Sequence, residues 1–256
     1  LPFFSELYGN PSSMHSFGGQ VAHHLGQARG QVADILGAEP EEIVFTSCGT
    51  ESDNAAIRSA LTVSPDKKHI VTSRVEHPAI RSLCHHLRKQ GYRVTEIPVD
   101  SEGRLDMDSY EKSLSSDTAV VSLMWANNET GVVFPVEKAA RMAYERDILF
   151  HTDAVQVVGK TPINMKKNTI NMLSFSGHKL HAQKGIGVLY IRRGTKFAPF
   201  FIGGHQERER RGGTENTPAI VGLGKACSLA MANLKEENTR VRALRDKLET
   251  ELLRRI

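Results

Sequence analysis

The sequence predicts an α/β fold, a mostly parallel mixed sheet with helices on both faces. Two observations carry this. Short β-branched runs alternate with amphipathic stretches, the signature of repeated strand–helix–strand units. Hydrophobic residues make up 39% and charged residues 24% of the 256 residues, enough to build a sizeable core.

The elements follow in order. His15 to Leu36 reads as a helix. Candidate strands are Ile43–Thr46, His69–Ser73, Arg93–Pro98, Ala119–Leu123, Ile148–Thr152, Met172–Phe175 and Ile186–Ile191. Helical patterns lie between several of them, near Ser52–Leu61, Ala79–Gln90, Met107–Leu114 and Val136–Arg146. The last two strands are joined by a short loop instead of a helix, which allows one of them to run antiparallel. A long helix runs from about Ala219 to the end. There is no fixed-period repeat and no low-complexity linker, so no internal domain boundary is expected.

Composition excludes several classes. No apolar run approaches the ~20 residues that span a bilayer, and the first residues lack the basic start of a signal peptide. Lys and Arg total 33 against 29 acids, a net charge of +4 without a dedicated basic stripe. Nucleic-acid and membrane partners are therefore not expected. The run Glu207-Arg208-Glu209-Arg210-Arg211 mixes signs and reads as a solvated loop. Three scattered cysteines (Cys48, Cys84, Cys227) form neither a disulfide framework nor a metal pair, and no metal ligands are assigned. A reducing, cytoplasmic setting is the expectation. The chain starts at Leu1 without Met and ends within a stripe of Val241, Leu244, Leu248 and Leu252, so both ends are expected to continue in a longer protein.

Open α/β sheets bind ligands at the carboxyl ends of their strands, so chemistry is sought there. After the first strand, Cys48-Gly49-Thr50 at a helix start offers backbone N–H groups to a phosphate, or simply caps a helix. After the second, His77 is held extended by Pro78. After the fourth, Asn127, Asn128, Glu129 and Thr130 form a polar turn. After the fifth, Asp153 ends an apolar strand and needs a charged or hydrogen-bonding partner, for which a pyridinium nitrogen or a helix start would serve. After the sixth, Ser176-Gly177-His178-Lys179 holds a lysine in a tight turn suited to covalent chemistry. Each feature alone has a plain structural explanation. Together, an anion site, a carboxylate and a lysine on neighbouring strand ends are what pyridoxal 5'-phosphate (PLP) requires.

The phrases YGNPSSMHSFG, FTSCGTESDN, VEHPAI, MWANNETG, HTDAVQVVGK, SFSGHKLHAQKGIGVLYIRRG and GGHQERERRGGTEN resemble cysteine desulfurases of the NifS and IscS type, most closely the NifS branch. The resemblance runs over the whole chain. It implies the PLP-dependent transferase fold of type I, with residues 1–256 forming the PLP-binding large domain, truncated at both ends and lacking a C-terminal small domain. It implies Lys179 as the Schiff-base lysine, Asp153 as partner of the ring nitrogen and Gln156 as donor to the phenolic oxygen. His77 resembles the histidine stacked on the ring, which also moves protons. Gly49, Thr50, Ser176 and His178 resemble phosphate ligands, and Asn128 the amide near ring and substrate. Thr214 resembles the residue that reaches the neighbouring subunit's phosphate, which implies a homodimer and makes the 207–211 run part of a dimer-side loop.

The implied reaction converts L-cysteine to L-alanine, with sulfur passed to an enzyme cysteine as a persulfide and on to an iron–sulfur scaffold protein, in the NifS branch for nitrogenase. The persulfide cysteine and a substrate-carboxylate arginine are expected beyond Ile256. Cys84 and Cys227 read as buried small hydrophobes, and a Cys48 thiolate would be repelled by phosphate. The competing readings are a selenocysteine lyase or related PLP lyase, and a PLP-binding or dimerising piece without activity. A dinucleotide-binding domain is disfavoured, since neither GxGxxG nor GxxxxGK[ST] occurs.

Overall fold

The computed structural model describes residues 1–256. Seven strands form one sheet: β1 (Ile43–Thr46), β2 (His69–Ser73), β3 (Arg93–Ile97), β4 (Thr118–Met124), β5 (Leu149–Asp153), β6 (Met172–Ser176) and β7 (Gly187–Ile191). Their order is β1-β7-β6-β5-β4-β2-β3, and every pair is parallel except those made by β7. This is the mostly parallel mixed sheet the sequence predicts, with the antiparallel strand in the last pair. Because β7 opposes both neighbours, β1 runs with β6, and the carboxyl ends of six strands reach one edge.

Eight helices surround the sheet: α1 (Pro2–Ser5), α2 (Ser16–Leu36), α3 (Gly49–Val63), α4 (Pro78–Lys89), α5 (Met107–Ser113), α6 (Val136–Tyr144), α7 (Thr217–Glu236) and α8 (Arg242–Arg255). Strand alternation decides which face each one covers. Val44, Ile70, Val120, Met172 and Leu189 pack with Ala56, Ile57 and Ala60 of α3 and Ile80, Leu83 and Leu87 of α4. Their neighbours Phe45, Val71, Val121, Leu173 and Val188 turn to the other face, against α2, α5, α6 and α7. Both faces are apolar, which is why the strands read as continuous hydrophobic runs.

Two features bear on the edge where the strands end. At the start of β7 a Cβ on Gly187 would lie 2.5 Å from the backbone carbon of Cys48, so only glycine lets this strand pass under the β1–α3 turn. The expectation of a solvated 207–211 loop needs correction. Glu207 is buried: its carboxylate takes two hydrogen bonds from Arg29 of α2, both 2.7 Å, and one from the Phe45 N–H at 3.1 Å. Arg211 reaches Glu51 of α3 at 3.0 Å. Buried partners for two of its charges, Glu207 and Arg211, outweigh hydration of a mixed-sign run, and they hold Glu207, Arg208 and Glu209 at φ of 48°, 57° and 63°.

The helix predicted from Ala219 onward is interrupted by a π turn at Glu237–Val241. Beyond it α8 buries no residue, and its stripe of Leu244, Leu248 and Leu252 is exposed.

Candidate functional site

A cavity of about 400 Å³ opens at the carboxyl edge of the sheet. Nine of the ten residues singled out from sequence line it: Gly49, Thr50, His77, Asn128, Asp153, Gln156, Ser176, His178 and Lys179. Thr214 does not; it lies between the 207–211 strap and α7.

Each side chain is delivered by a strand end. Gly49 and Thr50 are the first residues of α3, where Cys48 caps by accepting from the Glu51 N–H at 3.4 Å. The unpaired N–H groups and dipole of this 15-residue helix suit an anion. His77 caps α4, its Nδ1 accepting from Ala79 at 3.2 Å, which leaves the proton of the neutral ring on Nε2. Gln156 accepts from Lys160 at 2.9 Å through Oε1, so its NH2 end is the one able to donate into the cavity. Lys179 sits in the 3-10 turn Gly177–Leu180 directly after β6.

Asp153 ends β5 only 6% exposed, with Oδ1 accepting from Val155 at 2.9 Å. Burial raises its pKa, while the Val155 N–H and the nearby His77 and Lys179 pull the other way. An acid so placed is stabilised as an anion by a cation in the cavity.

Three residues lie under or beside this cavity that motif reading did not single out. Asp53 of α3 is buried; burial first, then the Asp153 charge, raises its carboxyl well above the usual range, and Ser174 partly offsets this. His151 bridges Ser122 at 2.9 Å and Ser174 at 2.8 Å, and burial lowers its pKa to about 3. Glu76 accepts from the Ser73 hydroxyl at 2.6 Å and the Met124 N–H at 2.9 Å. The signal for Asp53 was its spacing: four residues before Ile57 and seven before Ala60, it shares their buried face.

Burial pushes Glu76 up to about 8 from an ordinary 4.5, against its two hydrogen bonds. The folded chain therefore keeps a proton that the unfolded chain releases above about pH 4.5. Its contribution to stability is present at lower pH and is lost as pH rises from there through about 8. Glu76→Gln, which mimics the neutral acid, is expected to reduce the fall in urea midpoint across that window. An unchanged slope would rule Glu76 out as its source.

No group of three or more His, Cys, Asp or Glu side chains is placed to hold a metal ion. Cys84 and Cys227 are buried, their thiols pushed up to about 12 mainly by desolvation. No helix is long and apolar enough to cross a membrane.

The chain is similar to known proteins over its whole length. The aminotransferase class-V family matches residues 1–256. Cysteine desulfurase 2 of Trichormus variabilis is 59% identical over 253 residues, 99% of this chain and 63% of that protein. The cysteine desulfurase NifS of Azotobacter vinelandii is 59% identical over 254 residues, with the same shares. The chain thus spans just under two thirds of the length of these curated relatives. Among solved structures, a NifS-like protein superposes with a TM-score of 0.95 at 41% identity, covering 99% of this chain and 70% of that one. SspA in complex with cysteine superposes at 0.85 with 40% identity, over 88% of this chain and 66% of that one.

Proposed function

The chain belongs to the class-V aminotransferase family, and we propose that its cavity binds PLP on Lys179 and that the whole protein is a cysteine desulfurase. The observation that carries this reading is the meeting of Lys179, Asp153 and the N-terminus of α3 in one cavity.

The residues present fit the cofactor. Gly49 lets the start of α3 pack tightly, since a Cβ there would meet Val155 at 3.3 Å and Ser176 at 3.6 Å. The backbone N–H groups of that turn, with Thr50, Ser176 and His178, offer donors for a phosphate. Asp153 would hold a proton on the ring nitrogen, and the NH2 of Gln156 would donate to the phenolic oxygen. His77 and Asn128 line the cavity as flanking groups for ring and substrate. When bound, PLP supplies an aldehyde that reacts with amines and a conjugated ring that withdraws electrons.

The chain's own groups define the rest. The Lys179 amine would hold the cofactor's aldehyde carbon and, when not so engaged, would serve as a base in the same cavity. His77, with Nδ1 occupied by the Ala79 N–H, would present Nε2 to the same cavity as a hydrogen-bond donor. None of the three cysteines suits sulfur transfer: two are buried, and Cys48 caps the helix where the phosphate would sit. The thiol that takes sulfur and leaves alanine, and the arginine for the substrate carboxylate, are expected outside residues 1–256. The same reading makes the protein a cytoplasmic homodimer, with Thr214 reaching the partner's phosphate, delivering sulfur to an iron–sulfur scaffold, for nitrogenase in the NifS manner.

Mixing the chain with PLP, reducing with borohydride and mapping the digest by mass spectrometry tests the assignment. A pyridoxyl adduct confined to Lys179 is the expected result. Adducts spread over surface lysines, in this chain and in the whole protein alike, would end the PLP reading.

A further inference from the structure

We infer that Asp53 is a positioning residue that keeps a proton within the buried Ser122–His151–Ser174 row, so that Asp153 stays the one carboxylate presented to the cavity. The inference deepens the PLP reading and rests on it for the role of Asp153, but its first test needs no cofactor.

Alternation along β5 puts His151 and Asp153 on one face, beneath α3. From α3, Asp53 enters the same layer at 1% exposure and also lines the cavity. Its Oδ1 has no hydrogen-bond partner and lies 3.6 Å from His151 Nε2. That imidazole cannot supply a countercharge. Ser122 and Ser174 occupy its two nitrogens, and its complete burial favours the neutral ring.

The two carboxyls therefore stand in unequal surroundings. Asp153 has the Val155 N–H at 2.9 Å and shares its cavity with Lys179 and His77. Lys179 lines the same cavity, but the charged groups that act on Asp53 are Asp153, Glu76 and the Cys48 thiol, with the neutral His151 ring at 3.6 Å. Two like charges in one dry corner are costly, so the pair holds a proton on the member with the poorer donors. That member is Asp53. Were it ionised, its charge would raise the proton affinity of Asp153 and remove the anion the cavity needs.

The test is a 13C titration of the chain labelled at aspartate carboxyl carbons, which leaves Glu76 silent. Signals are assigned with Asp53→Asn and, by exclusion, Asp153→Asn. The expected result is an Asp53 carbon that stays protonated through neutral pH and an Asp153 midpoint that Asp53→Asn leaves in place. An Asp53 carbon ionised below neutrality overturns the inference, as does an Asp153 midpoint that falls by about one pH unit or more in Asp53→Asn, the size expected of two coupled anions. Should Asp53→Asn fail to fold, the Asp53 titration in wild type and Asp153→Asn decides alone. Adducts missing from Lys179 would count against the PLP reading and leave this titration unaffected.

Discussion

Arg29→Ala is expected to destabilise the fold by about 3–5 kcal/mol, the cost of stranding a buried charge. The Arg29 and Glu207 side chains are largely withdrawn from solvent, at 14% and 2% exposure. Removing the guanidinium takes two 2.7 Å hydrogen bonds from the carboxylate and leaves it the Phe45 N–H alone. It also removes a donor to Ile43 O at 2.8 Å and a cation from the face of Phe45, 4.6 Å away. Residues 207–209 are held in left-handed backbone that costs about 1–2 kcal/mol each, a strain that the contacts of Glu207 offset.

The pair makes a stronger claim than either residue. Replacing both by apolar residues, Arg29→Met with Glu207→Leu, leaves no stranded charge and is expected to be milder than Arg29→Ala alone. Urea unfolding of the variants reads this directly. If Arg29→Ala costs under about 1 kcal/mol, as a solvated surface pair would, the strap is not anchored in the way described.

That strap also marks where sequence reading stops. A run of alternating signs looks solvated whenever its partners are distant in sequence, and Arg29 lies 178 residues from Glu207. The strands were legible because burial on both faces makes them β-branched and continuous; Val120, Val121 and Leu123 of β4 leave little else to read. Their order was not. The pairing of Ile43 with Tyr190 joins segments that no local pattern connects. The apolar period of α3 is legible only from about Ser52, while its first turn shows itself only as a glycine and hydroxyl residues at a helix start; the helix runs from Gly49.

The candidate site divides along the same line. Lys179, Asp153 and Gly49 are legible as a set: each alone has a plain structural explanation, but a lysine, an acid and an anion site on neighbouring strand ends do not. Cys84 reads as a small hydrophobe between Leu83 and Leu87 and is buried as such. Asp53 and His151 were passed over. Each looks like an ordinary polar residue until the fold places them in one layer, His151 fully buried and Asp53 only 1% exposed.

Asp153→Asn tests the chemistry with the least disturbance to that layer. The amide keeps an oxygen for the Val155 N–H, which the carboxylate now accepts at 2.9 Å, so the turn after β5 is expected to persist. What changes is the group turned to the cavity: a neutral NH2 donor replaces an anion. A donor cannot hold a proton on an atom facing it, and in a buried site the loss of that charge is not made good by water. On the proposed reading, alanine formation from cysteine by the whole protein should fall by about 10²–10³-fold, the range for losing one preorganised electrostatic contact. Borohydride trapping at Lys179 should survive, because the lysine and the α3 anion site are untouched. This split separates a catalytic charge from a scaffold residue, whose loss would lower trapping and turnover together. Turnover within about threefold of wild type would mean that Asp153 only caps its turn and that the ring-nitrogen role belongs to another group.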